Sequence, residues 1–157
     1  MAAPQLSLKG RALRCLAARE HSRAELQRKL APYEEEPGQL ERVLDELQVK
    51  GFISEERVAA SLLHRRAARL GDLRIRQELQ AKGLDAPTVA QALEQLRGTE
   101  RERAQVVWQR KFGTPAQDAK ERARQMRFLL ARGFSADVVR RVVQGGAGPE
   151  ADTDTKY

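Results

Sequence analysis

Arginines and lysines are the residues of this chain whose type and spacing could do chemistry. Arg57, Arg65, Arg66, Arg69, Arg74 and Arg76 lie close together, with Glu55, Glu56, Asp72 and Glu78 as their acidic company. Lys82 follows them, and a second group comprises Arg110, Lys111, Lys120, Arg122, Arg124, Arg127 and Arg132. A guanidinium holds a phosphate or carboxylate at two points and sheds water more readily than an ammonium. Any one of these side chains reads as a solvated rim, because exposed ion pairs contribute little. Taken together, in a chain whose net charge is +7, they indicate an anionic partner: nucleic acid, an acidic protein surface, or both. Trp108 and Phe112 could stack on a base, but at helical spacing with Ala104 they read as core.

Catalytic chemistry is not indicated. His21 and His64 are far apart, and neither has a cysteine or carboxylate at metal-ligand spacing on its own helix. Gly71, Gly83, Gly133 and the Gly145-Gly146 pair fall where helices end and form no phosphate-cradling loop. Glu34, Glu35 and Glu36 read as a solvated loop. Cys15, the single cysteine, sits among Leu13, Leu16 and Ala17 and reads as a small core side chain in a reducing compartment. No nucleophile, base and electrostatic stabiliser come together, so the expectation is a protein that is not an enzyme and uses no cofactor or metal. MAAPQLSLKG at the start lacks the apolar segment of a signal peptide, and no run is long enough to cross a bilayer. A cytoplasmic location follows as an expectation.

The elements that must position these cations read as helices. Hydrophobic residues make up 41% and aromatics 4%, a balance that suits amphipathic helices and not a sandwich of strands. Leu13, Leu16 and Ala17 line a first helix that fades near His21. Ser22 with Glu25 forms a capping box ahead of Leu26 and Leu30, and APYEEEPG at 31–38 is a loop. Leu40, Val43, Leu44 and Leu47 recur at helical spacing; Ser54 opens a helix bearing Val58, Ala59, Leu62 and Leu63. Asp72 is expected to cap the helix of Ile75 and Leu79, and Asp85 the helix of Val89, Ala92, Leu93 and Leu96. Thr99 with Glu102 is a second expected capping box; Thr114, Pro115 and Gln117 make a third. Ser135 caps a final helix whose Val138, Val139, Val142 and Val143 keep helical spacing despite their β-branching.

ELQAKGLDAPTVAQAL at 78–93 lines up with FLLARGFSADVVRRVV at 128–143, so that Lys82 matches Arg132 and Gly83 matches Gly133. An earlier copy runs over 24–47 with the loop inserted. A period of roughly fifty residues with helices in threes implies stacked repeats that complete one another's cores. The predicted fold is all-α: an elongated array, straight or curved, of about nine helices in tandem three-helix repeats. The expected boundaries are 6–50, 54–97 and 99–144, followed by a disordered tail at 145–157.

KGFISEERVAASLLHRRAARLGDLRIRQELQAKGL at 50–84 resembles the central signature of the RecX regulatory proteins. The similarity extends to RKFG at 110–113, to RFLLARGFSADVVRRVV at 127–143, and to the SxxEL…KL pattern at 22–30. The chain departs from the family pattern at Val58 and Leu62, where an aromatic is usual, and at Asp72, where proline is common. The resemblance implies a cytoplasmic negative regulator of RecA that binds in the groove of the RecA–DNA filament, bridges protomers and inhibits ATPase, strand exchange and co-protease activity. It implies a monomer that meets DNA through the filament, with weak direct binding open, and no membrane. The expected contacts are Arg57, Arg65, Arg66, Arg69, Arg74, Arg76, Lys82, Arg110, Lys111, Arg124, Arg127 and Arg132. A direct DNA-binding protein built of helix-turn-helix-like units is the alternative, and a helical adaptor for another acidic protein a third.

Overall fold

The computed structural model describes residues 4–145, and within them the secondary structure is helical with no strand. The helices are α1 (Leu8–Ala18), α2 (Arg23–Leu30), α3 (Gln39–Val49), α4 (Glu55–Arg66), α5 (Asp72–Ala81), α6 (Ala86–Glu94), α7 (Glu100–Lys111), α8 (Ala119–Ala131) and α9 (Ala136–Gly145). One turn of 3-10 helix, Ala31–Tyr33, continues α2 into the loop read from APYEEEPG. Gly145, expected in the tail, closes α9; the rest of that tail lies outside the described residues.

Two compact units emerge. The first joins the described residues up to Arg65 with Arg76–Gln95; the second joins Arg66–Ile75 with the described residues from Leu96 onward. In the first, Leu8, Ala12, Leu26, Leu30, Leu40, Leu44, Leu47 and Ile53 form one buried cluster, with Cys15 packed against it as expected. In the second, Ala104, Trp108, Leu129, Phe134, Val139, Val142 and Val143 form another. The valines of α9 are helical as their spacing predicts, because a helix is the conformation that turns Val139, Val142 and Val143 to one side.

The middle repeat is divided between the units because the same joint is built twice, about fifty residues apart. In the first unit, the start of α2 seats on the turn between α5 and α6. The Ser22 hydroxyl donates to the Lys82 carbonyl at 2.5 Å, and Gly83 passes so near Ala24 that a Cβ on it would lie 2.5 Å from the alanine methyl. In the second unit, the start of α5 seats on the turn between α8 and α9. There the Gly71 amide donates to the Arg132 carbonyl at 2.9 Å and the Leu73 amide to the Gly133 carbonyl at 3.2 Å. A side chain on Gly71 would fall on the backbone of Gly133 and Phe134, and one on Gly133 would fall on Arg74. Both turn glycines also hold positive φ, +76° and +87°, which other residues rarely adopt. The first and second repeats therefore each dock the N-terminus of their second helix onto the following repeat's glycine turn.

Helix ends divide into those that local pairing decides and those that tertiary contacts redirect. Ser22 and Glu25 form the expected box, and Asp85 and Ser135 accept from the amides of Thr88 and Val138. Three expectations are corrected. Asp72 does not cap α5: the Gly71 carbonyl accepts from Ile75, and the Asp72 carboxylate accepts from Arg103. Thr99 makes no cap; its hydroxyl donates to the Leu96 carbonyl and accepts from Arg103. Helix α8 begins after Asp118, whose carboxylate accepts from the Glu121 amide at 2.8 Å, and not at Thr114-Pro115. An aspartate followed three residues later by glutamate there outcompetes the threonine box upstream.

Candidate functional site

Some of the cations are used by the fold itself. Lys82 donates to Glu25 at 3.0 Å with its side chain only 20% exposed, and so holds the first joint closed. Glu25 also accepts from Arg19 at 2.8 Å and from the Ser22 amide. Burial works against its ionised form, but the hydrogen bonds from Arg19, Lys82 and Ser22 prevail and hold the carboxyl at about 2. Arg57 is likewise engaged, reaching Glu20 at 2.9 Å and the Gly51 carbonyl at 2.6 Å. These two expected contact residues are thus placed in internal ion pairs. Nearby, burial lowers the pKa of His21, whose ring lies 3.1 Å from the Arg19 carbonyl and 3.0 Å from the Lys29 ammonium.

Arg103, which the sequence does not single out, is heavily used by the fold of the second unit. Its guanidinium reaches the carbonyls of Ala67 and Leu70 and the carboxylate of Asp72, while Nε donates to the Thr99 hydroxyl at 3.0 Å. Beside it Glu100 accepts from the Ser135 amide at 2.6 Å; burial, with Asp72 as a like-charged neighbour, raises its pKa. This polar knot ties the loop after α4 and the start of α5 to α7.

Most of the remaining expected cations are exposed. In the first unit Arg65 and Arg76 are exposed, Arg65 with its Nε on the Ser61 carbonyl at 3.3 Å. In the second unit Arg69, Arg74, Arg110, Lys111, Arg124 and Arg127 are exposed, and Arg66 and Arg132 are half-buried. On α8, Lys120, Arg124 and Arg127 are spaced four and three residues apart and all are exposed, so they form a cationic stripe along one face. Gln125 and Leu129, on the opposite side, are buried. At 1.5 Å rise per residue the stripe is about 10 Å long, roughly three phosphates of a stacked strand.

Two aromatic rings stand beside this stripe. Phe112 and Phe128 meet edge to face with centroids 5.4 Å apart. Lys111 and Arg132 lie over Phe128 at 5.3 and 4.9 Å, and Arg124 over Phe112 at 5.9 Å. Each contact is of the cation–π kind, with the ring's negative face toward the charge. Phe112 also lines a groove of about 300 Å³ together with Thr114, Pro115, Glu121, Arg124 and Gln125. Trp108 is fully buried, its indole N–H donating to Gln125 at 2.9 Å. Of the two candidate stacking rings, Trp108 therefore belongs to the core and Phe112 to a surface groove. Phe128 carries no local sequence signal, since it and Phe112 lie on different elements and meet only on folding. Among the described residues no group of three or more His, Cys, Asp or Glu side chains is placed to hold a metal, and no helix is long and apolar enough to cross a membrane.

Comparison with known proteins agrees with this architecture. Family models for the first, second and third three-helix domains of RecX match residues 9–47, 54–93 and 99–143. The chain is 62% identical over 141 residues to the regulatory protein RecX of Leptothrix cholodnii, covering 90% of each chain. It is 49% identical over 147 residues to that of Ralstonia nicotianae, covering 92% of each. Among solved structures, a regulatory protein RecX superposes with a TM-score of 0.73 at 20% identity, over 92% of this chain and 82% of the other. RecX from Lactobacillus salivarius superposes with the same score at 19% identity, over 88% and 93%. Those two likenesses establish the fold.

Proposed function

The chain belongs to the RecX family of regulatory proteins, and from that premise we propose that it is a negative regulator of RecA. It acts in the cytoplasm as a monomer, lies in the groove of the RecA–DNA filament and bridges neighbouring protomers. Bound there, it inhibits ATPase, strand exchange and co-protease activity. Its working parts are the repeats at 6–50, 54–97 and 99–144, and no step of its action is enzymatic. The observation that carries this reading is the exposed stripe of Lys120, Arg124 and Arg127 on α8, with Glu121 the only acidic residue of that helix. A filament groove offers both DNA phosphates and acidic side chains, and steering by such a stripe depends on charge and salt. Arg69, also exposed on the second unit, adds to its cationic supply, and Arg65 and Arg76 are exposed on the first.

The test is RecA ATPase on single-stranded DNA with this protein titrated in. Replacing Arg110, Lys120 and Arg127 together with alanine should raise the concentration for half-inhibition and lower the salt slope of inhibition by about 2 to 3, about 0.7–0.9 per lost phosphate contact. Unchanged inhibition by a folded triple variant removes the assignment. The helix-turn-helix alternative needs base-reading side chains at the start of one helix, whereas Asp72 at the start of α5 is committed to Arg103. Equal affinity for naked and RecA-coated DNA across a salt series would favour that alternative.

A further inference from the structure

We propose that the groove beside Phe112 is a stacking site for one base of a single-stranded nucleic acid. Phe112 is the platform, Arg124 the opposing plane, and Lys111 and Arg132 the flanking phosphate anchors. The inference deepens the proposed reading of the α8 stripe as a surface that meets the RecA–DNA filament, and rests on it.

The chemistry of the groove selects a planar ring. Arg124 stands 5.9 Å from the Phe112 centroid. A ring sandwiched between two planes needs about 6.8 Å, twice the rise per base along a strand, so an outward swing of about 1 Å by an exposed side chain opens the slot. At about 300 Å³ the groove lies at the small end of ligand sites, room for one base and not for a folded peptide. Two of its polar side chains are engaged with the fold, and a third, Gln117, also lines the groove. Gln125 accepts from Trp108 and donates to the Thr114 carbonyl at 3.1 Å, and Glu121 accepts from the Gln117 amide at 2.8 Å. The walls therefore grip chiefly a π-face, with Gln117 beside it able to meet a base edge, and stacking of this kind is how sequence-tolerant single-strand sites hold a base. Glu121 on the wall disfavours a carboxylate inside the groove, which argues against an acidic peptide as occupant. Duplex bases, stacked and paired, cannot enter. The cations sit where a strand needs them, two on the adjoining Phe128 ring and one on Phe112 itself.

The experiment uses the full chain without RecA. Labelled oligothymidylate, a duplex of equal phosphate number, heparin and thymidine monophosphate are titrated at several salt concentrations by anisotropy and by the fluorescence of Trp108, the single tryptophan, which Gln125 couples to the groove. The oligonucleotide should bind at least fivefold tighter than the duplex and change the Trp108 emission. Phe112→Leu should weaken it about 5- to 150-fold with the salt slope unchanged. Arg124→Gln should weaken it with little change in slope, whereas Lys111→Gln should lower the slope by about 0.7. Because Phe112 also packs against the core of the third repeat, Arg124→Gln decides the matter if Phe112→Leu fails to fold. Full affinity in folded Phe112→Leu or Arg124→Gln, or equal binding of heparin or duplex, overturns the proposal. Monophosphate binding as tight as the oligonucleotide's makes a free nucleotide the occupant and overturns it too. If the parent ignores the oligonucleotide yet inhibits RecA ATPase, only this inference falls; if it leaves RecA untouched, the regulatory reading falls independently.

Discussion

Arg103→Ala should cost the second unit about 3–4 kcal/mol. The guanidinium is 11% exposed and holds two backbone carbonyls, the Asp72 carboxylate and the Thr99 hydroxyl. Hydrogen bonds to a charged group are worth about 1.5–3 kcal/mol each when one partner is deleted, and removing half of a buried pair costs about 3–5 kcal/mol. The lower part of the buried-pair range applies, because Asp72 is 38% exposed and regains water once released. Water can also enter the space the side chain leaves. Against a typical total of about 5–15 kcal/mol this is a large share, equivalent to about 6–16 °C in Tm for a chain of this size. Arg103→Lys keeps the charge but reaches one acceptor at a time, so about half the loss should remain. Asp72→Asn should cost only about 1 kcal/mol. Urea unfolding followed by Trp108 emission reads the second unit selectively, since that residue lies in its core, while far-ultraviolet dichroism reads both units. A loss below about 1 kcal/mol for Arg103→Ala, or wild-type stability for Arg103→Lys, would refute the assignment of Arg103 as the tie between the second and third repeats.

Gly71→Ala and Gly133→Ala should each cost more than about 3 kcal/mol, since either methyl collides with backbone or Cβ atoms across the joint. Gly51→Ala, also at positive φ but with open space around it, should cost only about 1 kcal/mol; equal losses at the three positions, compared by thermal unfolding, would mean the joint is not tightly packed. Glu25 ionises at about 2 in the fold against 4.5 for a free side chain. Its folded pKa is the lower, so the stabilisation is complete above about pH 4.5 and is lost as pH falls from there to about 2, by about 1–2 kcal/mol after allowance for the half-exposed Arg19. Glu25→Gln should flatten that part of the acid unfolding curve, and an unaltered curve would contradict the ion-pair assignment.

The order of helices, their apolar faces and the recurrence every fifty or so residues are all local properties, and local chemistry was sufficient for them. A serine followed by glutamate at Ser22, an aspartate ahead of Thr88, and valines at helical spacing in α9 act through backbone groups three or four residues away. The paired glycines were visible as helix ends. That Gly71 and Gly133 lie against each other was not, because their contact is made only when two repeats dock. The same limit explains the failed caps. Asp72 and Thr99 have the right types at the right places, but Arg103 arrives from another helix and offers a charged, half-dry partner that a free amide cannot match. Charge clustering likewise raised the expectation of an anionic partner, while pairing, which depends on the whole fold, assigned the half-buried Lys82 and the exposed Arg57 to ion pairs within the chain and left the α8 stripe at the surface. Trp108 and Phe112 are indistinguishable in the sequence; packing alone sent one into the core and left the other lining a groove.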